Sequence, residues 1–460
     1  MKLVPTPKTH PALQMLQWIL DPLNYMEKIR KQHGEVFRAK LSSMDVVMVS
    51  DPNLVQYILT NDRGIFSAPG EANNIFLPLL GDYSVILLDG EAHRKRRQLL
   101  MPPFHGDKIK SYGDSIVSIS DRTMGSIPQD KPFVARKAMQ RISLAVIMET
   151  VFGIAQGEQY DILKHHICSM LDTFEVPATA AVLFFTSLQK DLGPWSPWGK
   201  FIRSRKIVDD IIYREIAARR ANPDNTSTDI LSLLVSATDP EGNPLTDKEL
   251  RDELMTLLFA GHETTATAMS WALYWTHRYP EVKEKIRAEL ESSGDNPTPL
   301  EITRLPYLSA VCQETLRIHP VAMLTFPRVV MEPVNLGGYD LSPGTAVMGS
   351  IYLTHHDEKI YSQHDQFQPE RFLNKQYSAY EFIPFGGGSR RCIGEALAWY
   401  ELKLVLAYVV SNYELSLVHE DEEKPVRRGL TLGPSRGVKM QFHGKRVRAN
   451  TISEPALISG

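Results

Sequence analysis

Between Thr246 and Arg278 apolar residues recur at close to 3.6-residue spacing, which predicts one very long α-helix. Thr246 and Glu249 stand at capping-box spacing at its start, and Pro280 lies just past its end. At ~1.5 Å rise per residue this helix spans about 45 to 50 Å, more than the diameter of a small domain. A chain of 460 residues, which at ~150 residues per domain would suggest three units, is therefore expected to fold as one large body around it. Hydrophobic residues make up 43% of the chain, enough for a sizeable core. Short strand signals interrupt the helical pattern at 35–50, which reads as a hairpin, and at 326–351 and 425–442. The expected fold class is mainly α with a smaller β-rich part. Residues 1–442 are expected to form the body and 443–460 a mobile polar tail.

With 51 basic and 54 acidic side chains the net charge is −3, so there is no general attraction to polyanions and no nucleic-acid partner is expected. The three cysteines, Cys168, Cys312 and Cys392, are too few for a disulfide framework and point to a reducing compartment. The longest apolar runs, 180–185 and 404–410, fall far short of the ~20 residues a membrane span needs. A cytoplasmic protein is expected, with peripheral membrane contact left open. The segment 192–199, with two prolines and two tryptophans, reads as a packed interhelix turn, with a membrane-touching or substrate-gating element as the alternative.

The chemistry concentrates around one cysteine, in Phe385-Gly386-Gly387-Gly388-Ser389-Arg390-Arg391-Cys392-Ile393-Gly394. Three consecutive glycines let the backbone lie close to something large and flat. The cysteine leads into a helical pattern, where the dipole and Arg390 and Arg391 would favour a thiolate. An isolated intracellular cysteine is usually an inert small hydrophobe, and zinc is disfavoured because no second ligand sits at suitable spacing. A deprotonated, hydrogen-bonded sulfur suits haem iron.

This stretch resembles the cytochrome P450 pattern F-x-x-G-x-R-x-C-x-G through Phe385, Gly388, Arg390, Cys392 and Gly394. Ala260-Gly261-His262-Glu263-Thr264-Thr265, on the long helix, resembles the family's oxygen-activation motif. Gly261 would let the helix pass close to a macrocycle, and Thr264 lies one turn from Ala260 on the same face. The alternative is a small-residue packing groove beside a solvated Glu263. Glu314-Thr315-Leu316-Arg317 and the arginine of Phe367-Gln368-Pro369-Glu370-Arg371-Phe372 resemble two further family elements. The resemblance implies a buried structural network of Glu314, Arg317 and Arg371. The Glu-x-x-Arg spacing also starts at Glu27, Glu91, Glu284 and Glu301, where it is ordinary helix-face pairing. In the basic run 93–97, His93 and Arg97 share a helix face suited to two carboxylates. Many family members have tryptophan where His93 stands, and histidine is a bacterial alternative. Arg328 is a further propionate candidate.

The resemblance, over roughly residues 20–442, implies a triangular, mostly helical single-domain fold. It implies haem b with Cys392 as axial thiolate, with Phe385, Arg390, Ala260 and Gly261 beside the cofactor. The implied reaction is hydroxylation with O2 and two electrons, Glu263 and Thr264 delivering protons. About 60 residues follow the cysteine, too few for a flavin domain, so a separate ferredoxin or flavodoxin with its reductase is expected, and Arg94, Lys95 and Arg96 could meet it. By family position, Phe76, Val85, Phe259, Ala322, Met323, Leu324 and Leu430 would line an apolar pocket for a long-chain fatty acid or terpenoid-like substrate. Each of these is also explained by ordinary core packing. The alternative activities are a peroxide-using or isomerase-type enzyme of the same family, or a haem sensor or carrier.

Overall fold

In a computed structural model, the structure describes residues 2–41, 44–175, 186–222, 229–239, 241–294, 296–429 and 431–447. Seven helices matter for the site: α1 (Pro52–Thr60), α2 (Gly90–Leu100), α3 (Ala135–Phe152), α4 (Pro197–Ala221), α5 (Asp247–Arg278), α6 (Pro306–Ile318) and α7 (Glu395–Asn412). Helix α5 has 32 residues and begins at the expected capping box, in which the Thr246 hydroxyl accepts from the Glu249 amide and the Glu249 carboxylate accepts from the Thr246 amide. It is enclosed by α3, α4, α6 and α7. A helix surrounded in this way presents no face to water over much of its length. Every side chain from Thr265 to Thr276 is accordingly buried.

The strands gather to one side. The sequence 35–50 forms the expected hairpin of β1 (Val36–Leu41) and β2 (Met44–Val49), with Val36 opposite Val49. With β3 (Phe66–Ser67), β5 (Arg328–Val330) and β8 (Ala346–Gly349) it makes a five-stranded sheet of order β1-β2-β8-β5-β3, in which β2 and β8 run parallel. A second sheet of order β4-β12-β9 joins β4 (Lys131–Val134), β9 (Tyr413–Leu417) and β12 (Lys439–Lys445). Two hairpins, β6 (Val334–Leu336) with β7 (Tyr339–Leu341) and β10 (Pro425–Arg428) with β11 (Thr431–Pro434), complete the strands among the described residues. Strand β12 runs on to Lys445, and the Arg446 amide donates to the Asn412 carbonyl. The tail boundary expected after residue 442 therefore falls inside a strand, and 448–460 lie outside the described residues.

The Glu314–Arg317 pair is fully buried, at 0% exposure for both side chains. Arg317 donates to both Glu314 oxygens (2.7 and 2.8 Å) and to the carbonyls of His355, His364 and Gln366. Arg371 and the Gln368 amide donate to Glu314 Oε1. This saturates both charges, which is what makes their burial tolerable. The same spacing elsewhere makes surface contacts: Glu284 meets Arg287 while itself 60% exposed. Replacing Glu314 by alanine should cost about 3 to 5 kcal/mol by stranding Arg317, whereas Glu284→Ala should cost less than about 1 kcal/mol. Denaturant unfolding of the two variants checks this.

His319 and His355 are buried as neutral rings. His355 Nε2 accepts from the Ile383 amide at 2.9 Å, and His319 lies against Trp271, with centroids 3.8 Å apart. Burial and nearby Arg317 hold both pKa values down to about 3. The unfolded chain binds these protons more readily than the folded one. Stability is therefore complete above about pH 6.5 and falls below it, by up to about 1.4 kcal/mol per pH unit for each ring. Urea midpoints between about pH 7.5 and pH 5 should show this slope, and His319→Phe should reduce it.

Candidate active site

The cysteine loop is built against the end of α1. Gly386 and Gly388 have φ of +66° each, a region that favours glycine. A Cβ on Gly388 would meet Asp62 Oδ2 at 2.4 Å and the Leu59 carbonyl at 2.5 Å, and one on Gly387 would meet Leu59 Cδ1 at 2.9 Å. These two glycines thus admit α1 to the loop, which corrects the expectation that the whole triplet serves a flat ligand. Of the three, Gly386 alone faces open space. Asp62, 6% exposed, accepts from Ser389 N and Oγ (both 2.8 Å) and from Arg328 Nη2 (2.9 Å). The sequence carries no sign of this role, because a single aspartate after a short helix has no distinguishing pattern.

The loop returns when the Cys392 amide donates to the Phe385 carbonyl at 3.1 Å. Phe385 also packs edge-on against Trp399. Cys392 is accessible, yet burial pushes its thiol up to about 11, against the Gly394 amide, Arg97 and Arg391, which pull it down. An accessible sulfur in a desolvated setting lines an internal space. The hydrogen bond and the two cations favour a thiolate, and desolvation opposes it. Binding a metal ion would supply the missing drive for deprotonation. Arg390 is buried. Its guanidinium donates to the carbonyls of Ala68, Val85, Ile86 and Leu88.

Around this loop the structure gathers positive charge. His93 is buried, and burial together with Arg390, Arg97 and Arg63 pushes its pKa down to about 4. Arg97 is half-buried, its pKa lowered by burial, with the sulfur acting in the opposite sense. Its guanidinium makes no hydrogen bond or ion pair among the described residues. A half-buried guanidinium and a neutral imidazole beside further arginines fit an anionic group such as the carboxylates of haem b. Arg328 is 1% exposed and already serves Asp62, Phe326 and Gly387, so its donors are largely occupied by the protein. Arg96, expected at a docking surface, is instead buried and pairs with Glu249 and Glu253. Arg94 and Lys95 are at the surface, paired with Glu91 and Glu241.

Helix α5 opens where the motif sits. Ala260 is exposed and Gly261, Glu263 and Thr264 are half-buried, between buried Leu258 and Thr265. The Thr264 hydroxyl donates to the Ala260 carbonyl at 2.5 Å. Glu263 points to α3, where Arg136 (2.5 Å) and Gln140 (2.8 Å) donate to it. A Cβ on Gly261 would lie 2.6 Å from Ile147 Cδ1, so this glycine also lets α3 approach. Phe76 and Phe259 meet edge-on, centroids 6.1 Å apart. Val85 is buried, and Ala322 and Leu324 are half-buried. Met323 belongs to the core with Trp18, Phe37 and Met48, which corrects its expected place in the pocket. Leu430 lies outside the described residues, as does 180–185. In the segment 192–199, Ser196 caps α4 and Trp198 packs on Phe201, whereas Trp195 is 79% exposed. No described helix is long and apolar enough to cross a membrane.

The glycine geometry makes a prediction. Gly388→Ala should lower thermal stability and haem retention more than Gly386→Ala, since both share the strained φ, worth about 1 to 2 kcal/mol, but only Gly388 also meets α1. Thermal unfolding and haem absorbance after gel filtration of the two variants decide it.

The cytochrome P450 family profile matches residues 4–442. A Mycobacterium tuberculosis protein provisionally named cytochrome P450 135B1 is 34% identical over 449 residues, covering 97% of this chain and 92% of that protein. Another from that organism, provisionally named cytochrome P450 137, is 32% identical over 92% of this chain and 86% of its own length. The solved structure of retinoic acid-bound cyanobacterial CYP120A1 superposes with a TM-score of 0.83 at 24% identity, covering 96% of this chain and 99% of that one, a likeness of fold. The chain belongs to the cytochrome P450 family, the haem-thiolate monooxygenases.

Proposed function

We propose that this monooxygenase hydroxylates a lipophilic substrate of fatty-acid or terpenoid type. The observation that carries the reading is the open stretch of α5 at Ala260 and Thr264, beside the apolar Phe76–Phe259 pair. An aromatic pair and aliphatic side chains favour an apolar chain by desolvation, with orientation left to few polar contacts. The fold neighbour CYP120A1 was solved with retinoic acid, a terpenoid acid, which is consistent with a fold that accommodates such molecules.

When bound, haem b supplies the activation of O2 with two electrons. Cys392 would hold the iron, and His93 and Arg97 would orient the propionates. Thr264 keeps its lone pairs free while its proton is given to the Ala260 carbonyl, so it can accept a hydrogen bond from water. Glu263, at 17% side-chain exposure, would exchange its pair with Arg136 for water and so pass protons to the Thr264 site. The electrons are proposed to come from an acidic carrier, a ferredoxin or flavodoxin with its reductase, which the surface residues Arg94 and Lys95 would attract.

A panel of long-chain fatty acids and terpenoid acids, titrated while the Soret band is followed, should give a spin-state change. A response confined to small hydrophilic compounds would overturn the substrate reading. Thr264→Ala should keep that binding response while product formed per electron pair falls about tenfold or more. Equal coupling in variant and parent would remove Thr264 from proton delivery.

A further inference from the structure

The chain around Phe76 is held firmly on both sides and loosely in between. From Leu79 onward it is sealed onto α5. Leu79 and Leu80 are buried, the Leu80 carbonyl accepts from Arg251 at 3.1 Å, and the Tyr83 amide donates to Asp252 at 3.0 Å. A Cβ on Gly81, at φ +88°, would meet the Asp252 carboxylate at 2.2 Å. On the other side, a Cβ on Gly70 would lie 1.7 Å from the Leu87 carbonyl oxygen, and Arg390 holds the Ala68 carbonyl. Between these fixed parts Asn74 and Leu77 are exposed, and Ile75, Phe76 and Pro78 are half-buried. Among the described residues, one hydrogen bond ties 74–78 to another helix: the Arg205 guanidinium of α4 donates to the Pro78 carbonyl.

Arg205 stands in a cleft of about 420 Å³ between this segment, α4 and the first turns of α5. The other charges of the cleft are matched. Lys248 pairs with Asp82 at 3.0 Å, and Arg251 pairs with Asp209 (2.5 Å) and Asp252 (2.8 Å). Arg205 reaches Asp209 through Nε at 3.5 Å, its Nη1 serves Pro78, and its Nη2 has no partner among the described residues. A half-buried guanidinium with spare donors, beside Leu77 and Pro78, suits a carboxylate at the end of an apolar chain. A carboxylate is also a stronger acceptor than a neutral carbonyl, so binding one draws the guanidinium away from Pro78.

We propose that Arg205 is a specificity-determining residue at the entrance to the pocket. Without a ligand it latches 74–78, and with it Phe76, to α4. A long-chain acid takes the guanidinium by its carboxylate, which releases the segment and lets the chain pass to the Phe76–Phe259 pair. A neutral ligand of the same length must break the latch without that exchange. The inference rests on the proposed lipophilic substrate and narrows it to acids, and the probes below let the two fail separately.

The probes are imidazoles carrying a dodecyl chain that ends in a carboxylate or in a methyl group. They are mixed with the haem-loaded protein and followed by the Soret shift of nitrogen ligation, which appears whether or not such chains are substrates. The parent should bind the acid-ended probe about three- to tenfold more tightly than the methyl-ended one. Raising the salt from about 0.05 M to about 0.5 M should shrink that preference. Arg205→Gln should abolish it, while the methyl-ended probe enters and leaves about three- to tenfold faster with little change in Kd, and hydrogen exchange within 74–78 should quicken. Unsubstituted imidazole should bind both proteins alike, showing that the haem site is intact. An acid preference that survives in Arg205→Gln, a preference in the parent that ignores salt, or equal entry rates of the methyl-ended probe in variant and parent would overturn the proposal. If fatty and terpenoid acids give no spin-state change while both probes behave as expected, the substrate reading fails and the entrance role of Arg205 stands.

Discussion

The cysteine is held by a chain of hydrogen bonds that starts at the buried Glu314–Arg317 pair. Arg317 fixes the His355 carbonyl, the His355 ring fixes the Ile383 amide, and two residues on the Phe385 carbonyl receives the Cys392 amide. Each step uses a group that would be unsatisfied if the previous one were displaced, and unsatisfied buried polar groups cost far more than satisfied ones contribute. The position of one sulfur is therefore tied to an ion pair on another helix. Asp62 holds the opposite side of the loop through Ser389.

Much of this was legible in the sequence. The span and capping of α5 followed from periodicity and two residues, because a helix that long must obey its own pattern whatever surrounds it. The β1–β2 hairpin was legible for the same local reason. Glu314 and Arg317 could not be separated from Glu284 and Arg287 by spacing alone, since both are the same helical offset. Burial separates them, and burial depends on the distant segment that brings His364, Gln366 and Arg371 to one place.

What failed to be legible concerns the partner that each residue meets. Gly387 and Gly388 were recognised as places of close approach, but the approaching groups are Leu59 and Asp62. Arg96 looks like its exposed neighbours in a basic run, yet its helical phase turns it toward α5. Met323 is apolar like the residues beside it, and only the packing of the N-terminal helices and sheet shows which core it joins. Composition gives the type of contact, and tertiary structure gives the identity.

Arg390 grips the carbonyls of Ala68, Val85, Ile86 and Leu88 from two residues before the sulfur. The intervening stretch, which carries Phe76, is thus moored at both its margins through backbone oxygens, so this anchorage makes no demand on the side chains at its centre. Relatives could diversify that centre, and with it the molecules they admit, while the anchorage next to the ligand-bearing loop stayed the same.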